Sequence, residues 1–392
     1  MEHLSNLTDP LLLSAAPNNH SNSFMYVQDS PYDVVRKMQT VFVPFIFLFG
    51  LIGNLLALGC FLSQSLRSTS CCLYMAAKCT SDTTFLAALF VMWLDRVYVD
   101  VVNVQGMCQL TIFFSYVSGF TSVWLVLAIT YENYIRLSHP HLFITHCTRR
   151  VALIVITSIV VIAVVVYSFA LWTNDVLGSG AEEPLCMALV KYKDILMVMT
   201  FIDTTMTLVL PSLIIIPLVL ATLVNIARAF DRKNRLQDSL LSKVSSSRDF
   251  RNSLEAKVAR FLLAVSLTFL LLHTPGHLIR LKLLVNRYIL HRPLTVLDAT
   301  LQRLFETLYY FNFCCSIVIF LASGANFRAL FTSMYCRRFV FLTQPTSSAT
   351  ATSSSVVEEG GIKMIKRRGA SVESYSTCVE NSACSKISIS PK

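Results

Sequence analysis

VALIVITSIVVIAVVVYSFAL, from Val151 to Leu171, is a run of 21 residues without a charged side chain. A bilayer core takes about 20 apolar helical residues to cross, and inside it each backbone amide must be satisfied within its own helix. Six more windows of this kind lie on either side: Val41–Leu62, Leu73–Leu94, Leu110–Ile129, Ile195–Val224, Phe261–Leu281 and Leu304–Ala322. Seven spans with mostly short connections make an all-α membrane protein, a seven-transmembrane helix bundle. Composition agrees. The 392 residues are 54% hydrophobic and 14% charged, with a mean hydropathy of +0.59, whereas soluble chains carry about 25% charge.

The net charge of +10 does not imply nucleic acid as a partner, because the basic residues sit in short stretches between apolar runs. Those stretches set the orientation. The connection Phe230–Arg260 holds Arg232, Lys233, Arg235, Lys243, Arg248, Arg251, Lys257 and Arg260. The third–fourth connection holds Arg136, Arg149 and Arg150, and Arg328, Arg337 and Arg338 follow the seventh window. With seven spans these segments share one side, expected to be the cytoplasm. The opposite connections mix signs, except the basic sixth–seventh one with Lys282, Arg287 and Arg292.

Residues 1–38 then form an extracellular tail. Met1–His20 has no basic stretch before its short apolar run Leu11–Leu13, so the first span is expected to direct insertion itself. The tail carries glycosylation sequons at Asn6 and Asn19. The bundle is expected over 39–325. After it, Phe327, Leu330, Phe331, Met334 and Tyr335 recur at helical spacing with arginines between them, which predicts a short amphipathic eighth helix over 326–340 on the membrane surface. Cys336 at its end is a palmitoylation candidate or a plain free thiol. Residues 341–392 are rich in Ser and Thr without apolar period. They are expected to be disordered and open to phosphorylation.

Read in order, the polar residues inside the windows resemble those of the rhodopsin-like family of G-protein-coupled receptors, from about Val41 to Cys336. Gly53-Asn54 and Ser81-Asp82 look like the central Asn and Asp of the family's first two helices. Cys108 stands 24 residues before Glu132, the family spacing between a helix-three cysteine and the acid of its Asp/Glu-Arg-Tyr motif. Cys186 lies in the fourth–fifth connection, where the family places the disulfide partner of that cysteine. Pro211 and Pro275 lie in the fifth and sixth windows, and Phe327-Arg328 resembles the start of the eighth helix. The chain departs from the family at several motifs. Asp/Glu-Arg-Tyr is Glu132-Asn133-Tyr134, Cys-Trp-x-Pro is Leu272-His273-Thr274-Pro275, and Asn-Pro-x-x-Tyr becomes Ser316 to Phe320. Within the family, the texture around Cys71-Cys72-Leu73-Tyr74 and Glu132-Asn133-Tyr134-Ile135 is similar to invertebrate neuropeptide receptors.

The resemblance implies a Cys108–Cys186 disulfide on the oxidising side, with free thiols as the alternative. Asp82, expected to be the only acid deep in a central span, needs a partner or a proton. The resemblance surrounds it with Ser122, Asn312 and Ser316, with Asn54 nearby, as a sodium site or as a hydrogen-bonded structural cluster. No other cofactor is implied. Glu132 would lie at the cytoplasmic end. Asn133 cannot pair with the helix-six acid Glu255, which is either neutralised by Arg136 or solvated. The ligand pocket is expected to draw on Gln109, Tyr116, His277, Arg280, Arg303, Glu306 and Tyr310. The arginines would take a ligand's acidic group, while Glu306 would take a ligand cation or pair with an arginine. His273 reads as a satisfied core residue rather than a pH switch.

These features imply a plasma-membrane receptor for an extracellular ligand, a neuropeptide by the resemblance. It would signal by helix-six displacement to a heterotrimeric G protein, with arrestin and receptor kinases acting on the tail. A decoy or arrestin-biased receptor that does not couple to G proteins is the alternative, because the motif arginine is missing. A secondary transporter is more remote, since no inverted repeat is visible. Leu304–Ala322 has no lysine to hold retinal. No enzyme motif is present.

Overall fold

A computed structural model describes residues 30–64, 66–67, 69–177, 184–239 and 246–336; side chains are described except at 140, 229–257, 287–288, 326 and 336. The sequons at Asn6 and Asn19, the side chains of Glu255 and Cys336, and the tail 341–392 lie outside these residues.

The described chain is a bundle of seven spans. The first, Pro31–Phe61, begins where the Ser30 side chain accepts a hydrogen bond from Tyr32 N at 3.2 Å, with proline at the first helical position, where its missing N–H costs nothing. The second is Ser70–Arg96 and the third Met107–Ser138. A short helix, Pro140–His146, leads to the fourth, Arg149–Tyr167, which continues through Ala170–Thr173. The fifth comprises Lys193–Thr204, a π-helical turn at Thr205–Val209, and Leu210–Ser239. The sixth is Ser246–Leu284. The seventh, Val296–Cys314 with Ser316–Ser323, bends by 53°.

Five of these helices are each long and apolar enough to cross a membrane, and the bent pair of the seventh span makes six. The second span falls short by composition because Lys78 and Asp82 sit mid-helix, both buried between neighbouring helices. The third span is the axis of the bundle. It packs against the second, fourth, fifth and sixth, and 67% of its apolar window is buried, against 22% for the fourth. The apolar surface of the fourth span therefore faces lipid. Between fourth and fifth, β1 (Asn174–Leu177) and β2 (Leu185–Ala188) pair antiparallel, with Asn174 opposite Ala188.

Two expected boundaries move. The first helix begins at Pro31, within the stretch assigned to the tail, and Phe230–Arg260 is not one loop, since helix runs to Ser239 and resumes at Ser246. Hydropathy marks only the lipid-embedded part of a helix, while the backbone ladder continues into water wherever residues allow it. The seventh span bends although Ile317 stands where the Asn-Pro-x-x-Tyr pattern has proline. At the bend the thiols of Cys314 and Cys315 turn onto the Phe311 and Asn312 carbonyls, at 3.4 and 3.8 Å, competing with the helical ladder as side chains at kinks do.

The eighth helix runs Ala325–Phe331, followed by a π-helical turn, Thr332–Cys336. Arg328 donates to the Leu321 and Ala322 carbonyls at 2.8 and 2.7 Å, capping the seventh span, and Tyr335 Oη donates to Leu56 O at 3.1 Å on the first. First and seventh spans touch closely at Gly53, where an added Cβ would lie 2.6 Å from Ile317 Cγ2. Gly53→Val is therefore expected to destabilise by about 1–3 kcal/mol through overpacking, seen as a lowered thermal midpoint of the purified protein. An unchanged midpoint would show that this contact yields.

Candidate functional site

At one end of the bundle, Cys108 opens the third span and forms a disulfide with Cys186 of β2. Both are fully buried. Asn103 supports the bridge from the side: its Oδ1 accepts from Cys186 N at 2.9 Å, and its Nδ2 donates to Asp95 Oδ1 at 2.6 Å. Gln109, a ligand candidate in the sequence, is committed here. It accepts from Gly106 N at 2.7 Å and donates to Asp175 of β1 at 3.3 Å. The hairpin is thus held across the mouth of the bundle by a covalent bond and polar contacts.

Beneath the hairpin lies a cluster of charges and rings. Asp203 on the fifth span is buried, accepts from Tyr167 Oη of the fourth at 2.7 Å, and faces Arg280 of the sixth at 3.6 Å. Asp82 is therefore not the only acid deep in a span. Tyr116 of the third span stacks on Tyr167, with centroids 5.3 Å apart and planes 9° from parallel. Arg303 pairs with Glu306 at 3.7 Å, and Gln302 donates to the same carboxylate at 3.1 Å. Of the two alternatives for Glu306, the folded chain takes self-pairing. Tyr310 is buried against Phe85, ring centroids 6.3 Å apart. Asp203 and Tyr167, which the sequence reading did not single out, have a legible signal: an acid inside an otherwise uncharged window, and a tyrosine near the end of another.

His277 stacks on His273, 4.0 Å between centroids. His273 Nε2 lies 3.2 Å from Thr207 O. Pro211, one turn further along the fifth span, has no N–H to give that carbonyl, and the π-helical turn Thr205–Val209 ends two residues before it. The imidazole fills the acceptor that proline leaves open. His273 is thus a core residue that ties the sixth span to the fifth.

At mid-bundle both oxygens of Asp82 are occupied. Ser122 Oγ donates to Oδ1 at 2.7 Å; Ser316 Oγ donates to Oδ2 at 3.2 Å, and the Lys78 ammonium lies 2.5 Å from that same oxygen. The two asparagines expected at or near this site do not hydrogen-bond to the carboxylate among the described residues. Asn54 donates to Phe313 O at 2.9 Å, and Asn312 is buried without a side-chain hydrogen bond to Asp82 among the described residues. These residues do not fit a sodium ion: the position that a cation would take against the carboxylate holds an ammonium.

At the opposite end, Glu132 accepts from Ser70 Oγ of the second span at 2.9 Å and from Arg136 Nη2 at 3.1 Å. Arg136 lies over the Phe143 ring of the short helix, 4.4 Å from its centroid. Asn133 Nδ2 donates to Ala259 O of the sixth span at 3.1 Å, and Thr130 shares a 2.7 Å hydrogen bond with Ser266. Tyr134 meets His139 edge-on, 6.1 Å between centroids. Burial, aided by the Glu132 carboxylate, pushes the Cys147 thiol up to about 11, so it stays protonated at neutral pH. Phe320, where the family pattern has tyrosine, is fully buried in a ring cluster with Phe61, Phe261 and Phe327. Pro275 lies within the continuous sixth helix.

The comparisons with known proteins agree with this arrangement. Residues 53–320, about two thirds of the chain, match the family model described as 7 transmembrane receptor (rhodopsin family). The chain is similar to Olfactory receptor 10H1 of Homo sapiens, 27% identical over 129 residues that cover 31% of this chain and 39% of that protein. The matched part thus spans about two fifths of the curated relative's length. A seven-span bundle with a bridged hairpin at one end, interhelical hydrogen bonds at the other, and a family match from Gly53 to Phe320 leads to one conclusion: the chain belongs to the rhodopsin family of seven-transmembrane receptors, and is a multi-pass membrane receptor rather than an enzyme.

Proposed function

We propose that this receptor lies in the plasma membrane with the disulfide end outside, binds a peptide beneath the β1–β2 hairpin, and signals to a heterotrimeric G protein at the other end. The observation that carries the ligand class is the pair of buried ionic contacts, Asp203–Arg280 and Arg303–Glu306. Burying charges is costly unless they are paired. A ligand that brings acidic and basic groups of its own can exchange partners with these pairs at little desolvation cost, which a purely apolar ligand cannot do. Arginine also takes a carboxylate in two-pronged fashion. A peptide presents both charges together, which favours a neuropeptide-like ligand. The basic helical extension after the fifth span suits an anionic inner leaflet, and the Ser/Thr-rich tail suits receptor kinases and arrestin.

Ligand binding would shift a pre-existing equilibrium towards a state with the sixth span displaced. The Asn133–Ala259 hydrogen bond restrains that movement in place of an ion pair. A hydrogen bond contributes about 1 kcal/mol, so Asn133→Ala is expected to raise basal G-protein activation by roughly five-fold. Unchanged basal activity in a normally expressed variant would remove this restraint from the account. The wider test is a peptide library applied to cells expressing the chain, reading calcium, cyclic AMP and arrestin recruitment together. A response to peptides in the first two supports the proposal. Asparagine in place of the motif arginine favours a second reading, a receptor that recruits arrestin alone, and an arrestin signal with no G-protein readout would select it.

A further inference from the structure

Lys78 and Asp82 stand one turn apart on the second span and are 2% and 0% exposed. Around the carboxylate, oxygens converge from three helices: Asp82 itself, Ser122 of the third span, and Ser316 at the bend of the seventh. A carboxylate with hydroxyl oxygens in a buried setting is the donor set of a hard monovalent cation. Here the ammonium of Lys78 is already in contact, 2.5 Å from Asp82 Oδ2 and 3.5 Å from Ser316 Oγ.

We infer that Lys78 is the resident cation of this site, and that the receptor's inactive packing is independent of sodium. An added ion would place a second positive charge beside the ammonium on one carboxylate, in a low-dielectric interior where repulsion is poorly screened. The ammonium is covalently held by the same helix as its counter-ion, so its local concentration does not vary with the medium. Rearrangement at this site therefore does not require release of an ion. Lys78 and Asp82 move together as one helix, and the contact that breaks is Ser316 to Asp82, between the second and seventh spans. Removing the amine while keeping the oxygens should turn the site into one that takes an ion from solution.

The test uses the full-length receptor, purified in detergent and unfolded thermally in sodium chloride or in N-methylglucamine chloride, each at about 150 mM so that ionic strength is matched. The wild-type midpoints should coincide. Lys78→Met and the more conservative Lys78→Gln should each be raised in sodium by about 2–4 °C relative to N-methylglucamine. Adding Asp82→Asn to either should abolish that difference. A wild-type midpoint that rises in sodium would overturn the inference, as would folded Lys78→Met or Lys78→Gln receptors indifferent to the salt. A lysine that merely fills space would leave the variants insensitive to sodium. The wild-type comparison alone decides against the inference even if neither variant folds, and coincident wild-type midpoints support it.

Discussion

Cys186→Ser is expected to reduce the receptor at the cell surface to a small residue of the wild-type level. The bridge to Cys108 closes 78 residues of chain. In the chain-entropy account a loop of that size stabilises by about 4 kcal/mol, and removing a native disulfide typically costs about 2–5 kcal/mol. The loss is local as well as entropic. The hairpin it anchors is only four residues per strand, too short to hold its place across the bundle by strand pairing alone. With the bridge gone, Asn103 and Gln109 must hold the hairpin by single hydrogen bonds. Flow cytometry of intact cells carrying an N-terminal epitope measures the outcome. Cys108→Ser should match it, and the double variant should be no worse than either single one, because all three lose the same bond. Near-normal display of Cys186→Ser would show that the hairpin is held otherwise.

Asp82→Asn should cost about 3–5 kcal/mol, because it leaves the buried Lys78 ammonium without its counter-charge. Lys78→Met, measured without sodium, should cost a similar amount for the mirror reason. The double variant Lys78→Met/Asp82→Asn should recover most of the loss, since the amide can accept from Ser122 through its oxygen and donate to Ser316 Oγ through its nitrogen, while no charge remains to be desolvated. A double variant more stable than either single one means a coupling larger than either single loss, above about 3 kcal/mol. Thermal midpoints of the purified variants give the result. Additive losses would mean that the two groups do not neutralise each other.

Most of the architecture was legible in the chain itself. The seven windows, their order and the apolar period after the seventh follow from residue type, because lipid leaves helix as the way for an apolar span to satisfy its amides. The membership of the Asp82 cluster was partly legible. Asp82, Ser122 and Ser316 meet as expected, while Asn54 and Asn312 make no hydrogen bond to Asp82 among the described residues. Lys78 had a signal in plain sight, a basic residue one helical turn from the acid inside an apolar window. Its spacing places both on one helix face, and a charge pair there answers how a buried carboxylate is tolerated. Asp203 likewise interrupts an apolar window. What spacing could not supply was its partners, since Tyr167 and Arg280 come from other helices.

By itself, then, the sequence determined that the chain must be a bundle of membrane helices, which segments cross, and which polar residues had to find partners inside. Those are consequences of solvation, and solvation acts on each segment separately. Only the tertiary structure decided who those partners are: His273 with the carbonyl that Pro211 leaves open, Asn133 with the backbone of the sixth span, Arg136 with Glu132, and Ser122 and Ser316 with Asp82. The pairings between helices depend on the rotation and depth of each helix against its neighbours. Rotation and depth are set by close packing, such as Gly53 against Ile317, and packing is a property of surfaces that meet only once the bundle has formed.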